Sequence, residues 1–537
     1  MYTIGYDFKD TYIECSGYFI AVRLSTVSNI YAPDPDKLVI ERQSDSVTLK
    51  ASGLMGGGGD IKCGGTLTLS VKKAGEDTIV VDAYGSHSTE LCRGVSIYCK
   101  GVDIDSFTSD SSNMPDHPFV KSGVHPLFYP GRDAMMPLVF AETGKGPYFF
   151  LSKDKKVRPK AFSAHFDYIY NEKIITLSHQ ERTTERKNTI EMPTWKIGRA
   201  RNRMDVIRER FLDLETHFGL YPFEERNEFT WLKNIKFVLN LHGEHWTGHI
   251  FNTFAQMTER LRQVCNHIDG KKVLVFLPAW DGRYYTTYPE HKPSDVMGGE
   301  KGLKSFILEA HKLGVKTVLM LGGPNLATYK FLQDHNLFES VMRNEWGDYR
   351  SISAGLDWNG DLFFEPGGYI VNFGNPKLRK YMIESVSFLF DNYGADGIFL
   401  DGAIRYENTP DFCPVEGIRS FCREIQAAYP EKLLMGEDGF DVLWSAFGLF
   451  ATSWQPLGLG NGMLRYTRQS MYLSHPDYKG SGGVHESAWF SEGSKHIIKE
   501  KTIPAISITR DIDQEQSAIL AKLIAAYNGR GEIKYDI

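Results

Sequence analysis

The segment Asp396-Gly397-Ile398-Phe399-Leu400-Asp401-Gly402 is a short apolar run that ends in an acid and a glycine. Further on, Lys432-Leu433-Leu434-Met435-Gly436-Glu437-Asp438 repeats the pattern, an apolar strand followed at once by carboxylates. Continuous apolar runs of this length are the signature of strands buried on both faces, as in a parallel sheet. A carboxylate directly after such a run is costly to bury unless it has a task or a partner. These two segments therefore point to a parallel barrel whose strand ends carry chemistry.

Reading outward, similar runs precede them at 235–241, 272–277 and 315–321, and another follows at 503–508. Weaker candidates for the sixth and seventh strands fall near 448–453 and 471–474. Amphipathic helices separate them at 302–313 and 376–393, the second with Asn375 as N-cap and Pro376 at the first helical position. A final helix is expected over 514–527. Strand and helix alternate as in a (β/α)8 TIM barrel spanning 231–537. The stretch around 323–373 is too long for a βα loop and is expected to form an insert over the barrel mouth. A doubly wound open sheet is the alternative, but no G-x-G-x-x-G follows an early strand.

Residues 1–195 follow a different rule. Runs at 18–24, 46–50, 66–71, 78–84, 148–151 and 173–177 mix β-branched and aromatic residues with polar ones, separated by Gly, Asp and Pro. They predict an antiparallel β-sandwich. The Gly56–Gly59 run lacks the Lys-Ser/Thr of a phosphate loop and reads as a turn. Residues 196–230 form a helical linker, with Met204, Ile207, Phe211 and Leu212 on its apolar face.

A chain of 537 residues with 42% hydrophobic and 24% charged residues is an ordinary globular protein with at least two cores. Its formal net charge of −6 provides no basic face for nucleic acid and no polybasic membrane patch. No run approaches the roughly 18 apolar residues of a membrane span. The first residues, Met1 to Asp7, contain no apolar signal core, and seven cysteines without a C-x-x-C pair fit a reducing, cytoplasmic setting. Cys413 and Cys422 flank a helix start and read as packed thiols. All nine Trp lie at or after Trp195, which suits either a large core or a site that stacks on sugar rings.

In a TIM barrel the functional groups project from the C-terminal strand ends. Asp401 and Glu437 are the catalytic candidates. Adjacent parallel strands lie about 4.8 Å apart, so two such acids can approach roughly 5–6 Å, the spacing of a retaining glycosidase. Helix capping is the structural alternative for Asp401, and Asp438 is the alternative to Glu437. The other strand ends supply candidate substrate contacts: His242 as a hydroxyl donor, Trp280 and Tyr285 as stacking walls, and Asp281 as a hydroxyl clamp. Asn325, His475 and Arg405 complete the set, Arg405 to orient a carboxylate or hold a charged substituent. The spacing of His242, His245 and His249 matches neither His-x-His nor His-Glu-x-x-His, so no metal and no cofactor are expected.

The segment 396–402, the strand and Pro-started helix at 369–376, and the helix-to-strand run at 303–321 resemble the retaining α-glycoside hydrolases. The nearest branches are those like endo-α-N-acetylgalactosaminidase and α-galactosidase. The resemblance implies a mutarotase-like sandwich before the barrel and Asp401 as nucleophile. A Glu after the fifth strand is the acid/base in the endo-α-N-acetylgalactosaminidase-like and α-amylase-like branches. The α-galactosidase and α-glucosidase relatives use an Asp after the sixth. Two departures stand out: Phe399 occupies the place of the α-amylase arginine, and the sequence ends soon after the eighth helix. The implied substrate is an oligosaccharide or glycoconjugate with an α-linked galactose, N-acetylgalactosamine or glucose. A metal-dependent barrel hydrolase and a silent carbohydrate binder are the rival readings.

Overall fold

Burial along the strands separates the two halves of the chain. In Thr78–His87 every second residue is buried, whereas all five residues of Val273–Leu277 are. The first pattern belongs to a sheet with one wet face, the second to a sheet covered on both sides. The computed structural model describes residues 3–6, 10–109, 117–118, 126–131, 133–168, 171–245, 248–282, 287–322, 326–352, 355–356, 364–365, 367–403, 406–437, 439–452, 462–472, 490 and 501–528.

The alternating strands build two ten-stranded antiparallel sheets. Their inner faces meet in contacts such as Phe162 of one sheet edge-on to Trp195 of the other, with ring centroids 5.5 Å apart. The last strand is Trp195–Arg199, so the sandwich runs a few residues past the expected boundary. The glycine turn at 57–59 is a short 3-10 turn in which all three glycines have positive φ, a conformation open to them without a Cβ clash.

The linker helix is Arg203–His217, capped by Asn202, whose side chain accepts from the Met204 N–H. Its buried face is Val206, Ile207, Arg210, Phe211 and Leu214. Leu212, expected on that face, is 60% exposed, because the 3.6-residue period from Ile207 reaches Phe211 and Leu214 and leaves residue 212 outside.

The second half is a closed barrel of eight parallel strands: Phe237–Asn240, Val273–Leu277, Lys316–Leu321, Gly397–Leu400, Leu433–Glu437, Leu449–Thr452, Arg468–Tyr472 and Ile503–Ser507. Alternate side chains fill the lumen, among them Val238, Phe276, Met320, Phe399 and Met435. Phe276 and Phe399 touch at a centroid distance of 4.7 Å. Below them the short helix Thr230–Asn234, with Phe223, Phe229 and Leu232, closes the N-terminal end with apolar side chains. The expected final helix is Gln514–Asn528. The insert after the third strand holds the helix Tyr329–Asp334 and short strand pairs, including Ser351–Ile352 with Gly368–Tyr369.

Sandwich, linker and barrel meet at a buried cluster. Asp441, just after the fifth barrel strand, accepts from the Tyr129 hydroxyl of the sandwich at 2.9 Å and from Arg210 Nε and Nη2 of the linker helix at 2.9 and 2.6 Å. Its backbone N–H donates to the Met135 carbonyl at 2.8 Å. Asp441 and Arg210 are each at most 1% exposed. One carboxylate thus joins all three parts of the chain.

Candidate active site at the barrel mouth

Register carries the argument for the site. Leu400 pairs with Gly436, so Asp401 and Glu437 are the next residues on neighbouring strands. Phe399 and Met435, two residues earlier, lie in the lumen, and strand periodicity turns Asp401 and Glu437 the same way. Both are half-buried at the C-terminal end. Gly402 has φ +62°, and this left-handed turn presents its N–H to Glu437 Oε2 at 3.0 Å. The Glu437 carboxylate is therefore held against the residue that directly follows Asp401. The Asp401 N–H donates to the Leu321 carbonyl at 3.1 Å, extending the ladder to the third strand.

Over these strand ends lies a cavity of about 360 Å³. The barrel contributes Gly402, Tyr406, Glu407 and Glu437, the insert Met342, Arg350 and Ile370, and the sandwich Pro130, Gly131 and Asp133. Arg350 Nε meets Glu407 at 2.6 Å. Burial pushes the Glu407 carboxyl up, and Arg350 opposes that shift. The Tyr406 hydroxyl donates to the Val157 carbonyl of the sandwich at 2.8 Å, and burial holds its pKa well above the usual range. Clefts of about 460 and 480 Å³ lie elsewhere, against the helix Pro414–Ala428 and along the domain seam, and neither is lined by Asp401 or Glu437.

The remaining candidates separate by burial. Trp280 is fully buried, its indole N–H donates to the Met320 carbonyl at 2.8 Å, and its ring packs on His291 and Tyr393. It is a core residue rather than a stacking wall. The Asp281 side chain is 1% exposed and takes His291 Nδ1 at 2.7 Å, so it faces a histidine inside the protein rather than an open cavity. Burial raises its pKa and His291 counters. His242 is fully buried and desolvation pulls its pKa down to about 3, leaving a neutral imidazole at ordinary pH. The rings of His242, His245 and His249 surround Phe251 at centroid distances of 4.9, 6.1 and 4.7 Å. Among the described residues no three His, Cys, Asp or Glu side chains gather as metal ligands. Cys422 is packed as expected, but Cys413 is exposed. Tyr285, Asn325, Arg405, Asp438 and His475 lie outside the described residues.

No family model matches the sequence, and no curated protein does. Solved structures match it in shape. An α-N-acetylgalactosaminidase from Bifidobacterium bifidum, in complex with GalNAc, aligns with a TM-score of 0.68 at 11% identity over 96% of this chain and 88% of that one. A GH31-family sulfoquinovosidase from E. rectale aligns at 0.60 and 10% identity, over 98% and 82%. A GH36 α-galactosidase from Geobacillus stearothermophilus with raffinose aligns at 0.50 and 11% identity, over 98% and 75%. This chain has their fold. With about one residue in ten shared, the likeness is one of backbone: sandwich first, barrel second, in the same order along nearly the whole chain.

Reading strand ends alone misses most of the cavity wall. Arg350 and Met342 come from the insert, Glu407 from a loop six residues past Asp401, and Pro130, Gly131 and Asp133 from the other domain. Arg350, Met342 and Glu407 follow no apolar run, so no local pattern marks them.

Proposed function

We propose that the chain is a glycoside hydrolase that cleaves an α-glycosidic bond with retention, Asp401 acting as nucleophile and Glu437 as general acid/base. The observation that carries this reading is the Gly402 N–H bound to Glu437 Oε2 at 3.0 Å, beside Asp401 and in register with it. Retaining enzymes need two carboxyls about 5–5.5 Å apart, and adjacent barrel strands are spaced for that. The fold shared with an α-N-acetylgalactosaminidase, an α-galactosidase and a sulfoquinovosidase supports the substrate class.

In the first step an Asp401 oxygen bonds to the anomeric carbon as the glycosidic C–O bond breaks, and Glu437 gives its proton to the departing oxygen. In the second, Glu437 takes a proton from water, the water oxygen bonds to the anomeric carbon, and the ester to Asp401 breaks. The choice of a strand-five acid has independent support. The sequence after the sixth strand, 453–461, reads Ser-Trp-Gln-Pro-Leu-Gly-Leu-Gly-Asn and contains no carboxylate.

The test is a panel of 4-nitrophenyl α- and β-glycosides, beginning with galactose, N-acetylgalactosamine, glucose and sulfoquinovose. Release of 4-nitrophenol is expected from an α-glycoside, and the first-formed sugar seen by NMR is the α-anomer. A protein that binds these sugars but releases nothing is a silent binder, and the proposal fails.

A further inference from the structure

Beside the cavity at Glu437 lies a second one of about 110 Å³, and Pro130, Tyr406 and Glu407 line both. Its far side comes from the sandwich: Phe128, Tyr129, Lys160 and Arg182. Two of its charges are neutralised in place. Lys160 Nζ is held by Asp154 Oδ2 at 2.8 Å, and Glu407 by Arg350 at 2.6 Å.

Arg182 is not. Its Nε donates to Gln180 Oε1 at 2.6 Å, and among the described residues its terminal nitrogens have neither a hydrogen bond nor an ion pair. The guanidinium lies over the Phe128 ring, 5.4 Å from its centroid. The nearby acid Glu345 is already taken by Arg93 at 2.8 Å and Arg186 at 2.9 Å. Among the described residues the second cavity thus holds a half-buried guanidinium without an ion-pair partner, its neighbouring acids Glu407 and Glu345 each bound by other arginines.

We infer that this cavity is a subsite for an oxyanionic substituent on the leaving group, with Arg182 as the residue that recognises it. The inference rests on the glycosidase reading above. Glu437, as proton donor, faces the departing oxygen, so the arm leading from its cavity toward the sandwich receives the leaving group. The cavity of about 110 Å³ is smaller than the one at Glu437 and has room for a carboxylate or sulfate beside Arg182. An arginine fork pairs with such a group through two parallel N–H···O bonds, each stronger than a neutral one.

The test uses 4-nitrophenyl and 2-carboxy-4-nitrophenyl α-glycosides of the sugar that the panel identifies. The charged-to-neutral ratio of kcat/KM in the wild type, divided by the same ratio in Arg182→Gln, cancels the intrinsic reactivity of the two leaving groups. We expect this double ratio to be at least about tenfold, carried mainly by KM, as one or two charge-assisted hydrogen bonds supply. Arg182→Lys, which keeps the charge but not the fork, falls between. A measurement on the wild type alone guards against a variant that fails to fold: 5-nitrosalicylate, the charged product, inhibits at about tenfold lower concentration than 4-nitrophenol. A double ratio of one, or equal inhibition by the two phenols, overturns the subsite and leaves the glycosidase reading standing. No hydrolysis of either glycoside by the wild type overturns both.

Discussion

The two ends of the barrel are made by the same eight strands, yet they treat a carboxylate in opposite ways. The fourth strand carries an aspartate at each end. Asp396, at the closed end, is 6% exposed and accepts from His311 Nε2 at 2.8 Å, Lys316 Nζ at 2.9 Å and the Thr317 N–H at 3.0 Å. Burial pushes its pKa up, but His311 and Lys316 outweigh that and hold it below the usual range. Asp401, five residues on, is half-buried at the open end, beside a glutamate held by the Gly402 N–H. Below is an apolar plug, above a polar chamber. The closed, fully paired acid fastens the scaffold, and the acid set beside another acid at the open end is the one proposed for chemistry.

That contrast can be broken by exchanging each acid for its amide. Asp401→Asn is expected to lower kcat on the aryl glycoside by about 10⁴-fold or more, with its urea midpoint close to that of the wild type. A variant that still turns over, or that unfolds early, ends the distinction. Asp441→Ala sharpens it from the mouth side, since Arg210 would stay buried without its partner. Loss of about 3–5 kcal/mol in urea unfolding is expected, and an unchanged midpoint would show that the three-part junction holds nothing together. Asp396→Asn has the smallest effect, about 1–2 kcal/mol near neutral pH, with kcat within about twofold of the wild type. Its pH dependence has a definite sign. A carboxylate depressed in the folded state adds stability that is complete above its unfolded pKa near about 4 and is lost as pH falls through the lower folded value. Unfolding midpoints of the wild type and Asp396→Asn should therefore converge on acidification, and parallel curves would refute the assignment.

The scaffold was easier to read in the sequence than the chamber. Strands four and five announced themselves because burial on both faces makes them uniformly apolar. The seventh, expected near 471–474, begins earlier, its described part running over Arg468–Tyr472. Its residues Arg468, Gln469 and Ser470 are buried despite being polar. Arg468 is accommodated by bonds to Glu224 and the Leu464 carbonyl and by the Phe223 ring 3.8 Å away. No hydrophobicity pattern can see a strand whose burial is balanced by partners distant in sequence. Trp280 and Asp281 failed for the opposite reason. They follow a lumen strand, but the chain turns them into the packing behind it, against His291. Strand-end position tells where a side chain starts, and only the loops decide which way it faces.

The shared wall at Pro130, between the two cavities, has a bearing on how such a molecule diversifies. The staves that bear Asp401 and Glu437 and the patch that bears Phe128 and Arg182 belong to different sheets, joined by the Asp441 junction. A change at the sandwich edge would therefore alter one wall of the second cavity while leaving the strand ends that carry Asp401 and Glu437 as they are.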